Sequence, residues 1–472
     1  MTTNRTCTRT LLLLSVPFLF ALLVSSCSEK NNDVTDPEQI DEDIASCEGC
    51  HTSYTTLKAV YSPDTTSGGG GCGGDAPHIE PYDRVYLKPT GFAKFTSTTH
   101  YRLGCTACHG GVDKVSDKHV AHSGDFIARP SKQPLEKCGS CHGGTINLFT
   151  HSLHFNGWGQ KSMVTQRYSG ETPTSQLASA FEQLPATLKQ GYDINCGKCH
   201  GSCGDCHVNR PTAGGGGLLN GHEFFTRPDM RENCVACHSS RGGHGYFGVG
   251  VGTVPDVHLN ALGDGHCLNC HSGAEMHGDG MMVDQRYKMS LLPSCLSCHP
   301  NVAGSNTYHS MHVNTLNCYA CHSQDYNNCG SCHIGGDGAR IPSYQGFKIG
   351  RNPLPTVKKS PISNQAYTFV TLRQSLMAPD SWKEYGVASL PNFSVRPTYK
   401  YTTPHNILRW TSRTQVAAGK PCYDSCHIID EGGGTYRNKQ LYLFNSDLEA
   451  WEVAADAGIV VDGHLPAGWG PF

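Results

Sequence analysis

The chain has 472 residues, with 37 Lys and Arg against 40 Asp and Glu, for a formal net charge of −3. That balance, with no basic patch to neutralise a phosphate backbone, excludes nucleic-acid binding as the main task. The composition is instead set apart by 25 Cys and 26 His, which asks what so many thiols and imidazoles are for.

Residues 1–26 are read as a secretory signal and are set aside from the fold. Arg5 and Arg9 make a basic start, and Leu11 to Val24 form an apolar run too short to cross a bilayer comfortably. The run ends Val24-Ser25-Ser26-Cys27, which resembles the cleavage box of bacterial lipoproteins. That resemblance implies a lipid on Cys27 and a stable anchor when more than one acyl chain is attached. Plain cleavage nearby is the alternative, but no A-x-A site competes. Residue 28 is Ser rather than Asp, so nothing resembles an inner-membrane retention signal. Residues 27–45, acidic and polar, read as a flexible tether.

From residue 46 one pattern repeats. Cys-x-x-Cys-His occurs at Cys47/Cys50/His51, Cys105/Cys108/His109, Cys138/Cys141/His142, Cys196/Cys199/His200 and Cys203/Cys206/His207. It recurs at Cys234/Cys237/His238, Cys267/Cys270/His271, Cys295/Cys298/His299, Cys318/Cys321/His322 and Cys329/Cys332/His333. An eleventh unit, Cys422/Cys426/His427, has one extra residue between its thiols. Random order of these residues would give about 0.07 such pentamers. The unit is the attachment signature of c-type haem: two thiols add to the haem vinyl groups, and the following His, here termed proximal, binds iron. Zinc ribbons need two Cys pairs per metal and no His after each. A thioredoxin-like motif would occur once. Iron–sulfur ligation and a disulfide framework leave the His unexplained. The reading is therefore about eleven covalent haem c groups.

Eleven units use 22 Cys. Cys7 leaves with the signal and Cys27 takes lipid, so Cys72 is left over in a Gly-rich stretch. It reads as a passive thiol in a loop, against a reactive thiol, an intermolecular link or an iron ligand.

Fifteen further His remain as second, distal iron ligands. The candidates are His78, His100, His122, His151, His154, His222, His258, His277, His309, His312 and His405; His119, His244, His266 and His464 are assigned no iron. His119/His122, His151/His154 and His309/His312 have H-x-x-H spacing, which places both rings on one side of a helical turn. Each pair could serve two neighbouring haems or a small zinc site, with haem preferred. Met is an alternative axial ligand at one or two sites.

The fold expected is mostly irregular loops with short α-helices wrapped round a chain of stacked haems, with minor β structure in the C-terminal third. With roughly 40 residues per unit, little chain is left for helix-on-helix cores, so the haems themselves are expected to be the core. In the tandem stretch "CGKCHGSCGDCH", the Cα atoms of His200 and Cys203 lie at most about 11 Å apart, so the two groups attached there are expected to be neighbours. Leu177, Phe181, Leu184 and Leu188 share one helical face, with Pro185 ending or kinking the helix. The resulting division is a ten-haem core over 46–335, a haem-free extended or β arm over 336–421, and the eleventh site with a C-terminal helix or tail over 422–472. Ser446 and Glu449 have capping-box spacing for that helix.

The stretches "CLNCHSGAEMHGDG", "HSMHVNTLNCYACHSQDYNNCGSCH" and "PTYKYTTPHNILRW" resemble bacterial multihaem c-type cytochromes of extracellular electron transfer, over most of residues 46–427. The resemblance implies low-spin, bis-histidine haems in a contiguous chain. It also implies an exported outer-membrane lipoprotein at the cell surface, or on the periplasmic face, passing electrons to partner cytochromes, an outer-membrane conduit or extracellular acceptors such as metal oxides. The related nitrite-reducing branch often carries Cys-x-x-Cys-Lys, which is absent here. An electron carrier without its own chemistry is thus expected. The alternatives are a multihaem reductase of a small oxyanion or sulfur compound, and a subunit of an extracellular cytochrome filament.

Substituting Cys27→Ala is expected to move the protein from the membrane to the soluble fraction. Unchanged membrane association on fractionation would contradict the lipid assignment.

Overall fold

The computed structural model describes residues 45–63, 79–249, 253–327, 335–336, 344–345, 347–375 and 377–472. The chain divides into units 1–41 and 42–472, and all described residues lie in the second. Cys27, Cys72 and His78 fall outside the described residues. So does the tenth unit: Cys329, Cys332 and His333 are all outside them.

The Cys-His units form single helical turns, and local chemistry explains why. A turn of helix brings residues three apart to one side, so both thiols face the same way and the His follows at the end. Cys47–Thr52, Cys105–His109, Cys203–His207, Cys295–Cys298 and Cys318–His322 are such turns. Polar caps start several of them. Ser46 Oγ accepts the Gly49 amide at 2.9 Å. The Asp205 carboxylate accepts the Ser202 amide at 2.9 Å and its hydroxyl at 2.8 Å. These bonds satisfy amides that a short helix leaves free. At the eleventh unit the extra residue is taken up in a 3₁₀ turn over Cys422–Ser425.

Short helices dominate the described chain, with a little sheet in the C-terminal part; helical turns take more of it than a loop-dominated reading expects. Strands β1 (Lys348–Arg351), β2 (Phe369–Gln374) and β3 (Tyr399–Tyr401) form an antiparallel sheet in that order. A hairpin of β4 (Ile429–Gly432) and β5 (Thr435–Arg437) follows the eleventh unit. The expected arm over 336–421 is therefore partly sheet. It is also tied to the unit at Cys318. The buried Arg413 donates to Ser323 O at 2.7 Å, Asp325 Oδ1 at 2.9 Å and Phe347 O at 3.0 Å.

The expectation that no ordinary apolar core exists is corrected. One cluster gathers α1 (Trp158–Ser169), α2 (Leu177–Glu182) and α3 (Ala186–Asn195) with Trp382, Leu390 and Phe393 from the C-terminal part. Leu177, Phe181, Leu184 and Leu188 are all buried in it, and Pro185 precedes α3 where a missing amide costs nothing. Two further clusters pack β1–β3 and the C-terminal segment. The capping box expected at Ser446 and Glu449 does not form. Asp447 Oδ2 accepts the Phe444 amide instead, and the C-terminal helix is the single turn Val453–Asp456. Asp456 is committed to the sheet, accepting Thr398 Oγ1 at 2.6 Å and the Tyr399 amide at 2.9 Å; burial raises its pKa above the ordinary carboxylate range.

Leu188→Ala removes a fully buried side chain from the first cluster. It is expected to cost about 2–5 kcal/mol, read as a lower urea midpoint with unchanged slope. A change within experimental error would mean that this cluster is not a stability core.

Candidate functional site

Each proximal His directly follows a Cys of its unit, so the helical turn fixes where its ring emerges. At nine described units a second His ring faces it. His51 faces His122 at 6.1 Å, His109 faces His222 at 6.1 Å, His142 faces His100 at 5.9 Å, His207 faces His277 at 6.1 Å and His238 faces His154 at 6.1 Å, centre to centre. His271 faces His405 at 6.1 Å, His299 faces His258 at 6.3 Å, His322 faces His309 at 6.0 Å and His427 faces His312 at 6.1 Å. Two metal–nitrogen bonds of about 2 Å, with roughly 1.1 Å from each nitrogen to its ring centre, put two axial imidazoles about 6.2 Å apart. The observed spacing fits a shared metal ion between the rings.

Hydrogen bonds fix which nitrogen is available. A carbonyl only accepts, so a ring nitrogen bonded to one must carry the proton, and Nε2 keeps its lone pair. Nδ1 of His51 donates to Val85 O at 3.1 Å, that of His109 to Ile127 O at 2.9 Å, that of His207 to Phe225 O at 2.6 Å and that of His322 to Leu408 O at 3.0 Å. Among the facing rings, His122 donates to Lys118 O at 2.9 Å and His312 to Tyr308 O at 2.8 Å. Two rings meet carboxylates instead. Nδ1 of His271 lies 2.9 Å from both oxygens of the buried Glu275, and Nδ1 of His258 lies 2.8 Å from Oδ1 of the buried Asp256. Metal ligation needs neutral imidazole. Burial, reinforced by neighbouring imidazoles, pushes His238 down to about 3 and His222 and His405 to about 4. His271 moves the other way, raised mainly by its bond to Glu275.

The H-x-x-H motifs behave differently from one another. His309 and His312, on the helix Thr307–His312, face two different proximal rings and so join the units at Cys318 and Cys422. From the other two motifs only His122 and His154 face a proximal ring. His151, expected as a distal ligand, donates Nδ1 to Asn147 O at 2.7 Å, as His122 and His312 do within their own turns, and faces no proximal His among the described residues. Nor do His119, His244, His266 and His464. His266 has both nitrogens engaged, donating from Nε2 to Pro228 O at 2.9 Å and accepting the Leu268 amide at 3.0 Å. Among the described residues no three or more His, Cys, Asp or Glu converge as a metal cage, and the cysteines form no disulfide.

The thiols mark a row of neighbouring units. Cys47 is within electrostatic reach of Cys105, Cys108 of Cys138, Cys138 of Cys203 and Cys206 of Cys234. Cys234 hydrogen-bonds Cys267, Cys270 lies near Cys298, Cys295 hydrogen-bonds Cys318, and Cys321 lies near Cys422 and Cys426. The unit at Cys196 joins this row from the side, through Cys199 and Cys237. The tandem units, adjacent in sequence, both meet the unit at Cys234: Cys199 and Cys206 each lie within reach of Cys237.

Exposed thiols occur in several units, at Cys105, Cys141, Cys199, Cys206, Cys270, Cys295 and Cys298. The Cys141 thiol accepts the Ser140 hydroxyl at 3.8 Å. Gly143 and Gly144 bring no side chains, and a Cβ added at either would meet nothing. The third unit joins the row through Cys138, with Cys141 on the open side. Cys329, Cys332 and His333 lie outside the described residues. Among the described residues the row passes from the unit at Cys318 to that at Cys422 through Cys321.

The unit at Cys196 also differs in its partner. His200 Nε2 lies 2.7 Å from the hydroxyl of Tyr192, a buried residue of α3 that sequence reasoning does not single out. Glu275 is readable from the sequence, since it lies four residues after His271 and can share its helical face; Asp256 carries no such signal. Comparison of the chain with protein-family models, curated proteins and solved structures gives no match.

Proposed function

We propose that the chain is a multihaem c-type cytochrome that carries electrons through about eleven covalently attached haems. The observation that supports this best is the nine-fold recurrence of a His ring about 6 Å from a ring that directly follows a Cys pair. When bound, haem supplies one-electron redox chemistry whose potential follows from its axial ligands and their hydrogen bonds. The chain's own residues do the rest. Cysteine pairs would hold the groups, proximal and distal His would bind their iron, and Nδ1 bonds to carbonyls orient the rings of His51, His109, His122, His207, His312 and His322. With both axial positions held by fixed side chains, a change of oxidation state needs little rearrangement, which suits transfer rather than bond-making. The thiol neighbours give the order in which the groups would follow one another, from the unit at Cys47 to that at Cys422.

The location forms part of the proposal: an exported outer-membrane lipoprotein, at the cell surface or the periplasmic face, delivering electrons to partner cytochromes, an outer-membrane conduit or extracellular acceptors such as metal oxides. Among the described residues no helix is long and apolar enough to cross a membrane, so the anchor assigned to Cys27 would supply attachment. A reductase of a small oxyanion or sulfur compound is the second reading, favoured by the Tyr192–His200 contact alone.

Intact mass is expected to show eleven covalent haems, falling to ten in Cys422→Ala/Cys426→Ala; a mass without haem sinks the proposal. Glu275→Gln removes a negative charge that favours the oxidised state of the group held by His271. One haem potential is therefore expected to rise by roughly 60 mV, the one-electron equivalent of a tenfold change, in a spectroelectrochemical titration. An unchanged set of potentials would show that Glu275 does not tune its ligand.

A further inference from the structure

We infer that Asp256 is a positioning residue shared by two neighbouring haems: one of its oxygens sets the distal ligand His258 of the unit at Cys295, and the other fixes the segment that carries the distal ligand His405 of the unit at Cys267. This rests on the haem reading above and adds to it a single side chain that clamps one step of the row.

The two units adjoin, since Cys270 lies near Cys298. Their facing rings come from segments far apart in sequence, and Asp256 meets both segments. The residue is 3% exposed. Its Oδ1 accepts the His258 amide and His258 Nδ1, each at 2.8 Å. Its Oδ2 accepts the Ile407 amide at 2.6 Å, across 151 residues of chain. The clasp closes in the other direction too, where the Val257 amide donates to Ile407 O at 2.9 Å. An acid at the start of a helical turn commonly binds local amides alone. That accounts for the bond to the His258 amide. It accounts neither for the bond to the His258 ring nor for the bond to Ile407, and both lead to an iron ligand.

The segment 405–408 has little freedom once that bond is made. Its other side is fixed to the unit at Cys318, where Leu408 donates its amide to His322 O at 2.8 Å and accepts His322 Nδ1 at 3.0 Å. Asn406 O accepts the Gln324 amide at 3.2 Å. The ring of His405 is hydrogen-bonded to the backbone of Thr403, so it moves with its own segment. It faces His271 at 6.1 Å, while His258 faces His299 at 6.3 Å. Two rings that share a metal ion tolerate little displacement, and the groups behind them set their orientation. A carboxylate has the two acceptor oxygens needed to serve both segments. An amide in its place has one, and Ala has none.

The test uses the full haem-loaded protein and two readouts. One is electron paramagnetic resonance of the oxidised haems, whose low-spin signals follow the orientation of the axial rings. The other is hydrogen exchange in the segment 405–408. The signal of the haem at Cys267 is assigned with Glu275→Gln, which alters the partner of His271. Asp256→Ala is expected to shift the signals of two haems, those at Cys267 and Cys295. It should also speed exchange at the Ile407 amide about tenfold or more, as for loss of a hydrogen bond to a carboxylate. Asp256→Asn keeps one acceptor oxygen. Turned to the two donors of His258, it sets its NH2 against the Ile407 amide, so it should speed the same exchange and shift the Cys267 signal. In Asp256→Ala, a shift confined to one haem, no shift, or unchanged exchange at Ile407 overturns the inference. If that variant does not fold, Asp256→Asn decides alone, and unchanged exchange at Ile407 overturns it. Covalent haem count, measured on the same samples, separates the two failures: absent haem sinks the underlying reading, whereas full haem with an unmoved Cys267 signal sinks only the role of Asp256.

Discussion

Everything distinctive in this chain depends on one spacing: two imidazole rings about 6 Å apart, close enough to share a metal ion and too far apart to bond each other well. Such a pair demands that two segments be held to within a fraction of an ångström, although most partners are remote in sequence. His271 and His405 come from the central part and the C-terminal arm, and His109 meets His222 from across several helices. Backbone carbonyls do much of the holding. Leu408 O takes the Nδ1 proton of His322 at 3.0 Å, so the arm that presents His405 also orients a ring of another unit. A single displaced loop would disturb both.

The apolar clusters follow from the same demand. They lie in α1–α3 and in the C-terminal sheet, where no unit interrupts the chain for long stretches. Elsewhere buried hydrophobics are sparse: Leu57, Leu87, Phe95, Ile146, Phe149 and Val208 are scattered among the Cys-His turns. On the proposed function, those regions would complete their core only with the attached groups in place. Folding and haem attachment would then be linked, as they are for small metal-dependent domains. The clusters provide a fixed frame and the units hang from it.

Electrostatics differ along the row. Most Nδ1 partners are neutral carbonyls, but the adjacent units at Cys267 and Cys295 have Glu275 and Asp256 against one of their rings. Both acids are buried, where a charge acts over a longer range than at the surface. A carboxylate behind a ligating imidazole makes it a stronger donor. The middle of the row would therefore hold its electrons less tightly than either end, a profile that the carbonyl-partnered units do not share.

The Cys-x-x-Cys-His units were legible because they are made of neighbouring residues, and a local pattern leaves a local signature. The buried face of Leu177, Phe181, Leu184 and Leu188 was legible for the same reason: helical periodicity is written in consecutive positions. The H-x-x-H spacing predicted that two rings share a side of a turn, but not that His309 and His312 would face different units while His151 faced no proximal ring among the described residues. The second ring of each pair is chosen by how distant loops meet, and nothing in the spacing of His222 or His405 names its partner. Nor does the motif that contains Cys141 say that this thiol stays exposed while Cys138 turns to its neighbours. Tyr192 is the clearest case. In the sequence it is one more apolar residue on an amphipathic helix, and only the packing of α3 against Phe181 and the bare backbone of Gly157 bring its hydroxyl to His200. Sequence alone determined where along the chain the Cys-His units stand, because each is a run of consecutive residues. Tertiary structure decided which rings face one another and in what order the units adjoin, because those contacts are made by segments that the sequence keeps apart.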